Sequence, residues 1–302
     1  MKQKRYNVAV VGATGAVGAE MLRVLKERRF PVKGLRLLAS ERSVGTRIAF
    51  HGSTYRVEQL TKRALKGIDV ALFSAGAARS LEFGPEAVKQ GAVVVDNSSA
   101  FRMAPDVPLV VPEVNPQALK GHEGLIANPN CSTIIMLLPL APLHRAAGIT
   151  RIIVSTYQSV SGAGAKAMWQ LLMETKDILR RIGAQGSGLR AQGKGSSGLK
   201  LERLLRLPPA RSPQPRALPS QIAFSVIPQV DAFLDNRATK EEQKMISETR
   251  KILEAPGLPI SATCVRVPVF VAHSEAVWIE TERPLSVEAA RTLLRRAPGV
   301  KL

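Results

Sequence analysis

The segment that most constrains the fold lies near the N-terminus, where Asn7-Val-Ala-Val-Val11 runs into Gly12-Ala-Thr-Gly-Ala-Val-Gly18 and then Glu20-Met-Leu-Arg-Val-Leu-Lys-Glu27. The first piece is a short apolar run of strand type, the second is a glycine turn, and the third places its apolar residues at helical spacing. A glycine turn between a strand and a helix lets backbone amides approach a pyrophosphate, and the helix N-terminus beyond it favours negative charge. The spacing G-x-x-G-x-x-G differs from the commoner G-x-G-x-x-G, so a plain tight turn stays open for Gly12, Gly15 and Gly18 taken alone.

Further apolar runs at Leu35 to Ala39, Val70 to Ser74 and Val93 to Val95 alternate with helix-compatible segments such as Pro85 to Gln90. That alternation predicts a parallel sheet with helices on its faces. The strand Leu35 to Ala39 ends in Ser40-Glu41-Arg42-Ser43, at the distance where a dinucleotide-binding fold meets the adenosine ribose. A guanidinium and two hydroxyls suit a 2′-phosphate and favour NADP, while Glu41 keeps NAD open. After Asn128-Pro-Asn-Cys-Ser-Thr133 the pattern changes. An apolar helix candidate precedes the β-branched run Arg151 to Tyr157, and further strands at Ala262 to Val269 and Ala276 to Glu280 predict a second, mixed sheet. Ser286 to Arg296 reads as a helix, with Ser286 as its cap and Glu288 in the first turn, where negative charge is favoured.

A chain of 302 residues exceeds the usual size of one domain and predicts two packed units. Hydrophobic residues at 45% and charged residues at 22% place it among globular proteins. The longest apolar stretch, Ile134 to Leu143, contains Pro139 and Pro142 and falls well short of the roughly 20 residues of a bilayer span, so no membrane segment is expected. Lys2, Lys4 and Arg5 before Val8 to Val11 faintly resemble a signal peptide, but the apolar run is too short and a first strand is expected instead. The two cysteines, Cys131 and Cys264, are too few for a disulfide framework and too far apart for a metal knuckle, which fits a reducing cytoplasm and no metal.

The formal net charge of +19 raises the question of nucleic-acid binding. Between Ile178 and Arg216, nine Lys or Arg face the single acid Glu202, so this stretch holds eight of the nineteen net charges. With aromatics at 4% there is little material for base stacking, and nucleic-acid binding is not expected as the main function. Residues 183–198 are rich in Gly and Ser and residues 208–219 in Pro and Arg, so 183–219 reads as a mobile basic insertion outside both cores.

Cys131 precedes an apolar helical run, where the positive end of a helix dipole and unpaired amides would stabilise a thiolate; inert packing is the competing reading. Cys264 sits within a β-branched strand and reads as inert. Among the four histidines, His51, His122 and His144 have no constellation around them, whereas His273 follows a strand carrying Arg266 and precedes Ser274-Glu275. One turn region could therefore present an acid-base imidazole beside a guanidinium suited to a carboxylate.

From Tyr6 to about Asp177, and again from Ile222 to Leu302, the chain resembles bacterial aspartate-semialdehyde dehydrogenases. The matching strings are VAVVGATGAVG, ASERSVG, VVVDNSSAFRM, VPEVNP, NPNCSTI, STYQSVSGAGAKA, FLDN with TKEEQKM, and CVRVPVFVAHSEAV. The resemblance implies an α/β protein, with a Rossmann-type parallel-sheet NADP-binding domain at 1–130 and an α+β catalytic and dimerisation domain with a mixed sheet at 131–302. It implies Cys131 as nucleophile, Gln158 positioning the substrate and His273 as the acid-base group. Glu241 would hold the substrate ammonium and Arg266 its α-carboxylate, while Arg102 and Lys244 would bind phosphate. Gly12, Thr14, Gly15, Ala16 and Val17 would contact the NADP pyrophosphate, Arg42 and Ser43 its 2′-phosphate, and Ser161 and Gly162 the cofactor near the reaction centre.

The implied reaction interconverts L-aspartyl 4-phosphate and L-aspartate 4-semialdehyde through a cysteine thioester, in a cytoplasmic homodimer serving lysine, threonine and methionine biosynthesis. An N-acetyl-glutamyl-phosphate reductase runs the same chemistry on an acylated substrate and is the alternative enzyme. A homologue with impaired catalysis acting as a binding module is the other. Family members continue beyond Ala297-Pro-Gly-Val-Lys-Leu302 with further strands and a last helix, so the resemblance implies a less constrained nicotinamide end in a chain of this length.

Overall fold

The alternation read from the sequence becomes a seven-stranded sheet in the computed structural model, which describes residues 4–190, 210 and 214–302, with residues 183–190 described by their backbone only. Strands β1 (Tyr6–Val11), β2 (Val32–Ala39), β3 (Arg47–Phe50), β4 (Ser53–Gln59), β5 (Val70–Phe73), β6 (Val93–Asp96) and β7 (Leu125–Ala127) order as β3-β4-β2-β1-β5-β6-β7. All neighbours are parallel except the β3–β4 hairpin. Helices α1 (Ala16–Glu27) and α2 (Ala77–Lys89) lie on opposite faces, a separation dictated by the strand period of two. Val8 and Val10 pack with Leu22 and Leu25 of α1, and Ala9 and Val11 with Phe83 and Ala87 of α2. The strand order reverses at β1, between β2 and β5, which opens a crevice beyond the carboxyl ends of those strands.

Helix α3 (Cys131–Ala147) carries Pro139 and Pro142 in its interior, yet it holds because Leu137 and Ala141 pack against Val107, Val111 and Ala127. Strand β8 (Ile149–Gln158) is central in a three-stranded sheet of order β10-β8-β9, with β9 (Ile260–Arg266) and β10 (His273–Thr281) on its flanks. Ile152 N donates to Pro259 O and Val267 N to Gln158 O, a parallel progression. Glu282 N donates to Gly148 O while Arg151 reaches Glu280 at 3.4 Å, an antiparallel one, so the sheet is mixed as expected. Among the described residues no helix is long and apolar enough to cross a membrane, and no group of three or more His, Cys, Asp or Glu could hold a metal.

The chain forms two compact units, residues 1–154 with 242–262 and 277–302, and residues 155–241 with 263–276. The sequence division at 130/131 does not coincide with them. Helix α3 and helix α5 (Lys240–Ile252) supply Leu137, Ala141 and Ile252 to the same core as Ala127, which keeps most of both helices with the first unit.

The expectation of an insertion outside both cores at 183–219 needs correction. Helix α4 (Ala165–Arg190) continues through residues 183–190 despite their glycines. Ala210 and Leu218 are buried with Ala167, Leu171 and Ile178 of α4 and with Ile222. Gln170 Oε1 accepts from Ala217 N and Leu218 N, and Glu174 Oε2 from Ile222 N and Ala223 N, so two buried side chains one helical turn apart hold the returning backbone. Residues 191–209 and 211–213, on which the expected mobility also rests, lie outside the described residues. Helix α6 (Val287–Arg296) starts where the sequence places it, with Ser286 Oγ accepting from Ala289 N.

Candidate active site

The three glycines of the first turn have separate steric reasons. Gly12 has φ +91°, and a Cβ there would stand 2.4 Å from Ser74 O, so the β5–α2 turn can approach only a glycine. On Gly18 a Cβ would stand 2.3 Å from Gly12 O, so α1 packs directly on the turn. Gly15 caps α1 with no side-chain acceptor, which leaves the first amides of the helix for another partner. A plain tight turn would need only the first of these.

Beside the turn opens a cleft of about 680 Å³ in the first unit. Gly12, Thr14, Gly15 and Arg42 line it, as the sequence predicts, together with Gln59, Ser74 and Arg79, which sequence reasoning missed. Ala16, Val17 and Ser43 stand outside its lining, although Thr14 Oγ1 donates to Ser43 Oγ at 3.2 Å and ties the glycine turn to the Glu41–Ser43 turn. The cradle that a Cβ would fill, the uncapped amides and the guanidinium of Arg42 fit a dinucleotide with phosphates at two places.

Cys131 is the first residue of α3, an exposed thiol, while Cys264 is buried in β9. Its turn is fixed from both sides. Asn130, the N-cap, accepts from Ser132 N at 2.9 Å and Thr133 N at 3.3 Å. The Asn130 amide donates to Glu248 Oε2 at 2.6 Å, and Glu248 Oε1 accepts from Arg102 Nη1 at 2.9 Å. Arg102 also donates to the carbonyls of Asn128 and Asn97, so this buried guanidinium ties the loop leading to Cys131 to the loop after β6. From α5, Lys251 places its ammonium on the carbonyls of Arg102, Ala104 and Val107, and burial pushes its pKa down while Asp106 opposes the shift. Lys244 lies half-buried on the same helix.

In the second unit four of the sequence-predicted residues come together. Gln158, buried at the end of β8, donates through Nε2 to Glu241 Oε1 at 3.2 Å, and its Oε1 accepts from Arg266 Nη1 at 3.4 Å. Arg266 Nη1 also donates to Ser159 O at 2.7 Å. Ser159 N donates to His273 Nδ1 at 3.0 Å, and this contact fixes the orientation of the imidazole. Burial pushes the imidazole below its ordinary pKa and Arg266 acts the same way, against the Ala272 carbonyl and Glu241. Ser161 Oγ lies 2.9 Å from Ser159 Oγ, and a Cβ on Gly162 would crowd Arg266 Nη1 at 3.2 Å and His273 Nε2 at 3.6 Å. A buried carboxylate and a buried guanidinium on either side of one neutral amide match the two charges of an amino-acid head group.

Around the thiol and the Gln158 cluster, sequence reasoning also overlooked Glu248 and Ser159. The Asn130–Glu248 contact joins residues 118 apart, and no local pattern marks it. Ser159 had a visible signal, since it sits in the same STYQSVSG string as Gln158 and Ser161.

Residues 7–122 match the family model "Semialdehyde dehydrogenase, NAD binding domain", and residues 140–302 match "Semialdehyde dehydrogenase, dimerisation domain". The chain is 50% identical to an aspartate-semialdehyde dehydrogenase of Aquifex aeolicus over 98% of its own length and 79% of that protein. It is 47% identical to the enzyme of that name from Bacillus subtilis, over 98% of this chain and 80% of the other. A crystal structure of aspartate semialdehyde dehydrogenase II from Vibrio cholerae, complexed with ASA, superposes with a TM-score of 0.87 at 44% identity, covering 99% of this chain and 81% of that one. The chain thus carries the cleft beside the glycine turn, the helix-borne thiol and the buried Gln158–Glu241–Arg266 cluster on a scaffold shared with these enzymes, and it belongs to the aspartate-semialdehyde dehydrogenase family.

Proposed function

We propose that this chain interconverts L-aspartyl 4-phosphate and L-aspartate 4-semialdehyde, using NADP and a thioester on Cys131. The observation that carries the reading is the buried Glu241–Gln158–Arg266 arrangement, because it suits a substrate that keeps both a free ammonium and an α-carboxylate. N-acetylation would remove the ammonium and leave Glu241 facing an amide, which disfavours the acylated substrate.

In the biosynthetic direction the Cys131 sulfur attacks the acyl carbon of the mixed anhydride and phosphate leaves, giving the thioester. The first turn of α3, set by Asn130, favours thiolate over thiol at that position. Gln158 orients the substrate, Glu241 takes the ammonium and Arg266 the carboxylate. Arg102 and Lys244 receive the phosphate. NADP in its reduced form supplies the hydride when bound, with Thr14, Gly15, Ala16 and Val17 at its pyrophosphate, Arg42 and Ser43 at its 2′-phosphate, and Ser161 and Gly162 near the reacting end. His273 Nε2 exchanges the proton when the thiohemiacetal forms and collapses. The first sheet serves cofactor binding and the mixed sheet substrate binding and homodimer formation, and two thiols without a disulfide suit the cytoplasm.

The test is NADP reduction with L-aspartate 4-semialdehyde, with and without inorganic phosphate, beside N-acetyl-L-glutamate 5-semialdehyde. Phosphate-dependent turnover of the first substrate alone is expected, and Cys131→Ser should abolish it while melting normally. Turnover of the acylated substrate, substantial activity in the folded serine variant, or no turnover with either substrate would overturn the reading.

A further inference from the structure

A second cleft, of about 500 Å³, lies at the other end of the seven-stranded sheet. Its position follows from the strands. Val32, at the start of β2, lines this cleft, while Ala39, at the end of β2, lines the dinucleotide cleft. Seven residue steps along one strand separate them by about 23 Å, so no ligand of nucleotide size bound here reaches the cofactor cleft through the sheet.

The lining is one-sided in charge. The cations Arg5, Arg29 and Lys33 line the cleft, with His51 beside them, and no acid does. Arg5 spends one donor on Val32 O at 2.8 Å. Among the described residues, the side chains of Arg29, Lys33 and His51 make no ion pair, and the His51 ring stands edge on to the ring of Phe50 at 4.4 Å between centroids. The acids of the neighbouring helix are already engaged, since Arg23 binds both Glu20 and Glu27. Beside these cations the cleft has aromatic walls from the partly buried Phe30 and Tyr55, with Phe50 in the core beneath them. Local geometry fixes its outline: Arg29 follows the end of α1 at φ +49°, and His51 and Gly52, at φ +49° and +80°, form the tight turn of the β3–β4 hairpin.

We propose that this cleft binds a nucleoside phosphate, with the phosphate on Arg5, Arg29 and Lys33 and the ring against the aromatic walls. A simple inorganic anion would use the cations and leave the aromatic surface unspent, and an extended acidic peptide would not use a cleft of small-molecule size. Base-on-aromatic contact beside a guanidinium is the combination that recognises nucleotides without reading their sequence. Because the site is separate from the cofactor cleft, the inference goes beyond the proposed catalytic function and does not depend on it.

The test is isothermal titration of the full chain with ADP while NADP is held saturating, so that the cofactor cleft is closed to adenylates. One equivalent of ADP is expected to bind. Binding should weaken at least tenfold in the double variant Arg29→Asn, Lys33→Glu, where Asn is chosen because it tolerates positive φ. It should survive in Arg42→Glu, which addresses the cofactor cleft, and ribose 5-phosphate should bind at least tenfold more weakly than ADP. Melting temperatures of the variants report that both surface changes leave the fold intact. Absence of ADP binding in the presence of NADP overturns the proposal. So does retention in the Arg29–Lys33 variant with loss in Arg42→Glu, or equal binding of ADP and ribose 5-phosphate. If NADP fails to bind, the catalytic reading falls, and the contrast between the two sets of variants still decides this site.

Discussion

At the scale of single residues the least expected group is Glu275. It lies two positions beyond His273 on β10, and among the described residues both of its carboxyl oxygens are shielded from solvent without a hydrogen-bond partner. Burial pushes its pKa up to about 8. The unfolded chain releases this proton near the ordinary carboxyl value of 4.5, so between about 4.5 and 8 the folded protein holds one proton more than the unfolded one. Stability contributed by the neutral carboxyl is therefore fully present below about 4.5, falls as pH rises, and levels off above about 8. Glu275→Gln keeps the shape without a titrating proton and should flatten that decline in urea unfolding measured at pH 5, 7 and 9. Parallel pH profiles for variant and parent would show that Glu275 does not titrate in this way. The sequence named Glu275 only as a neighbour of His273, because burial of a carboxyl is a property of the packed strand and leaves no mark in the residue order.

Among the elements, α4 shows where composition misleads. Gly183, Gly186 and Gly188 argue for a loop by propensity, since each costs about 1 kcal/mol relative to Ala in a helix interior. The helix nevertheless extends to Arg190, and its earlier turns are anchored by Leu171 and Ile178 in the core and by the Gln170–Glu174 pair. The cap at Ser286 and the strand of the glycine turn were legible because their signals are local. The β3–β4 hairpin was not, since its Phe50-His-Gly-Ser53 turn carries His51 where Asn or Asp is the familiar sign. Glu174 is fully buried and its Oε2 accepts two backbone amides, so Glu174→Leu leaves Ile222 N and Ala223 N without their acceptor. The expected loss is about 3 kcal/mol of unfolding free energy, read from urea titration. A loss below about 1 kcal/mol would mean that the returning segment is held by its apolar contacts alone.

For the molecule as a whole, the fold class was readable because a parallel sheet with helices on both faces follows from alternation alone, whereas the compact units were not. Their boundaries fall within β8, α5, β9 and β10 and depend on which core each part of those elements joins. Net charge is the remaining whole-molecule property, and at +19 it is large for 302 residues. NADP, the acyl phosphate and inorganic phosphate are all anions, so the summed field should raise their encounter rates without adding any contact. Long-range attraction and direct contact separate by ionic strength. The Debye length is about 10 Å at 0.1 M salt and about 3 Å at 1 M, so salt removes the distant field while groups within contact distance still interact. Steering acts on association, and loss of a direct contact appears mainly in dissociation. Stopped-flow binding of NADP should therefore show an association rate constant falling by about tenfold between 20 mM and 1 M potassium chloride, with dissociation changing by less than about threefold. Replacing Lys194, Lys200, Arg203 and Arg206 with Gln removes four of the nineteen net charges in sequence terms and should make the association rate less steeply salt-dependent. An association rate indifferent to salt, or a salt effect confined to dissociation, would mean that the excess charge acts only where it touches its ligands.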